Sequence, residues 1–320
     1  MTRSVTWNGQ LRLVFSDVDE TVADLYRPAE IGMLDALTRL LDQGIRLVLI
    51  TGQSVDNVEQ RVVMRLPARL RYRIAVGACS GAELWGYSPD GDRNAVSFYT
   101  VESVLTVEQK AAWREIVQQL IAEFGLVPFP PMPISEFQLQ HGDDPWNVLL
   151  DDRGPQITVE FPNSYRLSDT ASERLSRRSG TSFEQPDMRI PVLRRAQQML
   201  DRRSVPVTPR LAGVFALDLA IEGVSKTRAV EAALSPDVLV TLGLDASVPR
   251  ACEMEVWGDR FSRDAGTDWL MCTAIDPRVR AISFRDEDPA EFPHGYNIHL
   301  WDGACRLHHG LLEYLRLPER

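Results

Sequence analysis

The segment "FSDVDETVADLY" sets Asp17 and Asp19 one residue apart, with Glu20 next and Thr21 behind it. Three acids in four residues repel one another unless a cation sits among them. Turn and N-cap chemistry also favours Asp after a strand, so the segment alone leaves both explanations open. Farther along, the chain offers Thr51 in "LITG", Lys226 in "GVSK" and Asp259 in "VWGD". Carboxylates with a hydroxyl and an ammonium suit a hard cation plus a phosphate, because Mg²⁺ takes about six oxygens and few of them are carboxylates. Lys226 also stands out by composition: 33 of the 35 basic residues are Arg, and Lys110 is the other Lys. A compact ammonium on a thin stem enters places that a guanidinium fork cannot.

These residues serve one site only if strand ends bring them together. Leu11, Leu13, Val14 and Phe15 read as a short buried strand. Residues 28–41 repeat apolar side chains at helical spacing, and Gly44 follows where a helix would stop. Residues 45–52 and 73–81 read as two more strands, with a helix over 55–64 between them. Strands separated by such helices predict parallel βαβ units, whose site lies beyond the carboxyl ends of the strands. From Leu84 the texture changes. Helices over 107–124 and 191–200, strands in "FYTVES" and "ITVEFPNSYRL", and Pro- and Asp-rich loops predict an α+β insert over 84–212. It interrupts a core made of 1–83 and 213–320. The second core segment reads as a strand in "GVFALDLAIEG", a helix from Ser225, strands in "MEVWGD" and "VRAISF", and a closing helix in "CRLHHGLLEYL".

Taken together, "DVDET", "LITG", "GVSK" and "WGD" resemble the four motifs of the haloacid dehalogenase (HAD) superfamily, in order. The insert resembles the C2-type cap of its sugar-phosphatase and phosphomannomutase-like branches. The resemblance implies a Rossmann-like parallel-sheet HAD core with an inserted cap. It further implies a Mg²⁺-dependent phosphatase of a small phosphorylated metabolite, of the sugar-phosphate class, working through an aspartyl-phosphate. A phosphosugar mutase of the phosphomannomutase type would use the same nucleophile, and a binding module without catalysis is the third reading. On this resemblance Asp17 is the nucleophile, Asp19 the general acid and base, and Thr51 with the Gly52 N–H the phosphoryl contact. Lys226 neutralises the charge that Asp17 and the phosphoryl group share. Mg²⁺ is held by Asp17, the Asp19 main-chain carbonyl, Asp259 and a second acid. That acid is Asp268 in preference to Asp264, because "DWLM" resembles the end of the usual motif. Ser80 stands where relatives often carry Asn, which weakens a substrate role for it.

Bulk properties narrow the partners. A net charge of −10 and a pI near 5.1 argue against nucleic acid or an anionic membrane as the main partner. No apolar run approaches the roughly 18–20 residues of a membrane span. The start lacks a signal-peptide stretch, and Cys79, Cys252, Cys272 and Cys305 show no metal or disulfide spacing, so a cytoplasmic protein is expected. His294, His299, His308 and His309 lack a convincing ligand spacing and are read as solvated or structural. Arg174, Arg177, Arg178, Arg189, Arg194 and Arg195 of the insert are read as an exposed helix face, with substrate contact as the alternative. Lys110 is read as a solvated helix residue.

Overall fold

The computed structural model describes residues 4–163, 187–212, 215–264 and 266–317. They form two compact units, 1–100 with 224–320, and 101–223. Arg174, Arg177 and Arg178 lie outside the described residues.

In the first unit, β1 (Leu13–Ser16), β2 (Arg46–Ile50) and β3 (Ile74–Ala78) run parallel. Their apolar runs are buried on both faces, as a parallel sheet covered by helices requires. The helix Ile31–Asp42 turns Met33, Leu34, Leu37, Leu40 and Leu41 inward. Gly44, at φ +89°, then lets the chain turn back into β2. A shorter helix, Val55–Arg61, starts on Ser54, whose hydroxyl accepts the Asn57 N–H at 3.3 Å. Two antiparallel strands, β4 (Glu83–Gly86) and β5 (Tyr99–Thr100), extend the sheet beyond β3.

The second unit carries β6 (Val127–Phe129), β7 (Asn147–Asp152), β8 (Gln156–Glu160), β9 (Val207–Ala212) and β10 (Ala216–Ile221) in the order β6-β7-β8-β10-β9. Helices Val107–Phe124 and Arg189–Arg203 belong to it. The first begins with a Thr106–Gln109 capping box and ends at left-handed Gly125. The unit boundaries fall farther along the chain at both ends than the sequence suggests. Residues 84–100 hold most of β4 and all of β5 and therefore stay with the first sheet. The strand 216–221 pairs antiparallel with β8 and β9 and closes the second sheet instead of starting the core.

Back in the first unit, β11 (Met254–Gly258), β12 (Arg280–Ser283) and β13 (Asn297–Leu300) complete an eight-stranded sheet, β13-β12-β11-β1-β2-β3-β4-β5. The six strands from β13 to β3 are parallel. This is the α/β class expected from the alternating pattern. No helix among the described residues is long and apolar enough to cross a membrane.

Candidate active site

Strand register sets the site. Ser16, the last residue of β1, stands level with Leu49 of β2 and Trp257 of β11. Asp17 therefore follows within two residues of both Thr51 and Asp259, at the carboxyl edge of three adjacent parallel strands. Its own N–H donates to the Trp257 carbonyl at 2.9 Å, and the Thr51 N–H to the Gly77 carbonyl at 2.9 Å. Strand pairing thus continues to the residue that carries the functional side chain.

Lys226 arrives from the far side of the sequence, as the first residue of the helix Lys226–Ala233. That helix sits against the turn after β3 because Gly81 has no side chain. At φ +94°, a Cβ there would lie 2.1 Å from the Ser225 carbonyl oxygen. The Lys226 ammonium reaches Asp17 Oδ1 at 2.5 Å and Asp268 Oδ1 at 2.7 Å. All three side chains are buried. Burial alone would lower the lysine's pKa, but the carboxylates of Asp17 and Asp268 outweigh it and hold the ammonium charged. Asp17 is pushed the other way. Burial raises its pKa well above the usual carboxylate range, Asp268, Asp259 and Asp19 add to that, and Lys226 opposes it.

Asp268, buried, gives its second oxygen to the N–H groups of Asp259 and Arg260, both at 2.9 Å. It fits against the end of β11 because Gly258 is there. A Cβ at residue 258 would fall 2.4 Å from Asp268 Oδ2. Asp264, the other candidate, is exposed. Asp259 gives one oxygen, Oδ2, to Arg285 Nε at 2.8 Å and Nη2 at 2.6 Å. Burial and Asp268 together push its pKa up to about 7, against Arg285 and Lys226.

Asp19 is the half-buried member. Arg61 Nη1 donates to its Oδ1 at 2.7 Å, and the Thr51 hydroxyl to its Oδ2 at 3.1 Å. A hydroxyl has one proton, so Thr51 spends it on Asp19 in this arrangement and accepts the Gln53 N–H with its lone pair. Gly52, half-buried, follows directly. Ser80 holds a left-handed backbone, φ 58°, and its N–H donates to the Thr51 carbonyl at 2.7 Å.

Asp17, Asp259 and Asp268 each offer an oxygen, and these lie within 4.8 Å of one another. An all-oxygen donor set suits Mg²⁺ over softer metals. Asp268 has both oxygens engaged, whereas Asp17 Oδ2 and Asp259 Oδ1 bond to no other described residue. These two oxygens are the ones free to meet a cation.

Three residues here escaped the sequence reading. Arg61 is buried at the end of its helix, next to Val62 and Val63, and a buried charge needs a partner. Arg285 lies two residues beyond β12, whose last residue, Ser283, stands level with Gly258 just before Asp259. Glu287 accepts the Phe261 N–H at 2.9–3.0 Å, the Ser262 N–H at 2.9 Å and the Ser283 hydroxyl at 2.6 Å, fixing the loop after Asp259. The insert arginines do not share one exposed face: Arg189 is buried and forks onto Asp187, Arg195 is half-buried with its Nε on Glu123, and Arg194 is exposed. Lys110 lies half-buried on its helix.

No family profile and no curated protein matches the chain. Solved structures do. The chain is similar to the C-terminal domain of trehalose-6-phosphate phosphatase from C. albicans, at 13% identity and TM-score 0.55, over 96% of this chain and 92% of that one. It is also similar to a trehalose-6-phosphate phosphatase related protein, at 13% identity and TM-score 0.51, over 96% of each. BT1666 from Bacteroides thetaiotaomicron, described among phosphatases of the HAD superfamily, matches at 14% identity and TM-score 0.49, over 98% of this chain and 97% of that one. The likeness is one of fold.

Proposed function

We propose that the chain is a Mg²⁺-dependent phosphatase of small phosphate monoesters, with Asp17 as nucleophile. The observation that carries this reading is the buried Lys226 ammonium between Asp17 and Asp268, beside Asp259, at the carboxyl ends of β1 and β11. Carboxylates this deep require cations. The set is arranged as phosphoryl transfer needs, with positive charge held where the phosphoryl oxygens and the nucleophile would share it.

One carboxylate oxygen of Asp17 attacks phosphorus, and the other is left to the cation. The O–P bond forms as the ester P–O bond breaks. The leaving oxygen takes the proton of Asp19, and Asp19 as carboxylate then takes a proton from the water that cleaves the aspartyl-phosphate. Lys226 opposes protonation of Asp17 and aims its carboxylate. Arg61 and Thr51 hold Asp19, and Thr51 with the Gly52 N–H is placed to turn to the phosphoryl group. A Mg²⁺ ion would take Asp17 and Asp259, with the Asp19 carbonyl, while Asp268 keeps Lys226 and the loop in position. When bound it supplies charge screening and Lewis acidity.

The sugar-phosphate class rests on the likeness of the insert to C2-type caps, and residues 101–223 are proposed to choose among esters. The test is phosphate release across trehalose 6-phosphate, hexose phosphates and nucleoside monophosphates, with and without Mg²⁺. Asp17→Asn should lose several orders of magnitude with the fold intact. Near-normal turnover in that variant would sink the reading. Conversion of a hexose 1-phosphate to its isomer without phosphate release would make the chain a mutase.

A further inference from the structure

The last helix, Leu307–Leu315, carries His308 and His309 in its first turn, and it packs beside Ile31–Asp42. Their approach is close because Gly32 has no side chain. A Cβ there would stand 3.1 Å from the Arg316 guanidinium and 3.5 Å from Leu312. This contact brings Glu30, just ahead of the first helix, to the two histidines. His309 Nε2 lies 3.2 Å from Glu30 Oε1, and His308 Nε2 lies 3.8 Å from the same oxygen. One donor atom from each residue fits within 4.8 Å of the others.

We propose that Glu30, His308 and His309 form a second divalent-metal site, of zinc type, separate from the carboxylate cluster at Asp17. Two imidazole nitrogens and one carboxylate oxygen select zinc and its neighbours over Mg²⁺. The spacing agrees. Donors about 2.0–2.1 Å from a tetrahedral ion stand about 3.3–3.4 Å apart, between the two separations above. His309 and Glu30 bond to each other, and His308 is the uncommitted donor. Neither ring nitrogen of His308 makes a hydrogen bond to a described residue, and its Nδ1 is buried. Glu30 precedes a helix without capping it through its side chain. Asp24 acts electrostatically on His308 and adds negative charge close by. Three protein ligands leave a fourth position for water. An ion here clips the end of the segment that carries Asp19 to the last helix of the chain.

Full-length protein stripped of metal and returned to excess Mg²⁺ is titrated with Zn²⁺ by calorimetry, and with Co²⁺ by visible absorption. The expected result is one Zn²⁺ per chain, titratable at micromolar protein, and a higher melting temperature. His309→Ala and Glu30→Gln, both at exposed positions, should each weaken binding at least tenfold and abolish the melting shift. Asp259→Ala should leave it unchanged. Unaltered Zn²⁺ binding in His309→Ala, or binding lost in Asp259→Ala alone, would place the ion elsewhere and overturn the proposal. So would no titratable binding in the parent protein.

Discussion

Arg61 ties Asp19 to the rest of the first unit. Its Nη1 holds Asp19 Oδ1 at 2.7 Å and Asn57 Oδ1 at 2.9 Å, while Nη2 and Nε take the carbonyls of Asp24 and Arg27 at 2.7 and 2.8 Å. One buried guanidinium therefore fixes both the carboxylate and the loop that carries it.

Arg61→Met should cost about 3 kcal/mol of stability, because it leaves Asp19 and two carbonyls short of donors. Arg61→Lys keeps the charge but not the fork and should lower kcat more than it raises KM. Urea denaturation and steady-state kinetics read the two effects. An Arg61→Lys enzyme that matches the parent in both would remove Arg61 from any positioning role.

At Lys226 the size of the cation matters as much as its sign. Its ammonium lies at 2.5 and 2.7 Å from two buried carboxylates. Lys226→Arg should lose activity almost as heavily as Lys226→Ala, by about 10²-fold or more, since the wider head displaces Asp17 or Asp268. Phosphate release by the two variants decides it, and a fully active Arg enzyme would refute the argument.

The two acids of the loop after β11 should separate cleanly. Asp264→Ala should leave activity and melting temperature unchanged. Asp268→Asn should abolish most activity. Gly258→Ala should resemble it, because the added methyl collides with the Asp268 carboxylate, costing about 1–3 kcal/mol as well. Parallel melting curves and assays of the three test this ranking.

Much of this was legible in the residues and some was not. The apolar runs of β1, β2, β3 and β11 predict the parallel sheet, and the polar side chains that follow β1, β2 and β11 predict its working edge. The strand 216–221 misleads because its apolar run fits either sheet, and only its antiparallel pairing with β8 and β9 places it. Gln156, Thr158 and Asp218 look like ordinary strand positions. They join in a buried hydrogen-bonded row only through the pairing of Thr158 with Asp218. Glu30 and His309 are far apart in the chain, so ligand spacing could not reveal them.

Acidity should govern the metal-free protein through Asp259. Its carboxyl titrates near 3.8 when unfolded and at about 7 in the fold, so the folded state holds this proton more tightly. The stability it contributes is complete below about pH 4 and is lost as pH rises through 7. A bound cation needs the carboxylate, so added Mg²⁺ should raise the melting temperature more at pH 8 than at pH 5.5. Equal shifts at both values would contradict this.

The position of β1 between β2 and β11 has a consequence for biosynthesis. As the chain leaves the ribosome, β1 can pair with β2 early. Its other edge waits until residues 254–258 have emerged, after the whole of 101–223. Throughout that interval a largely apolar strand has one edge open to other chains. The inserted unit draws its sheet from one continuous stretch and can close first. Nascent chains halted before β11 are therefore the ones that leave this edge of β1 unpaired.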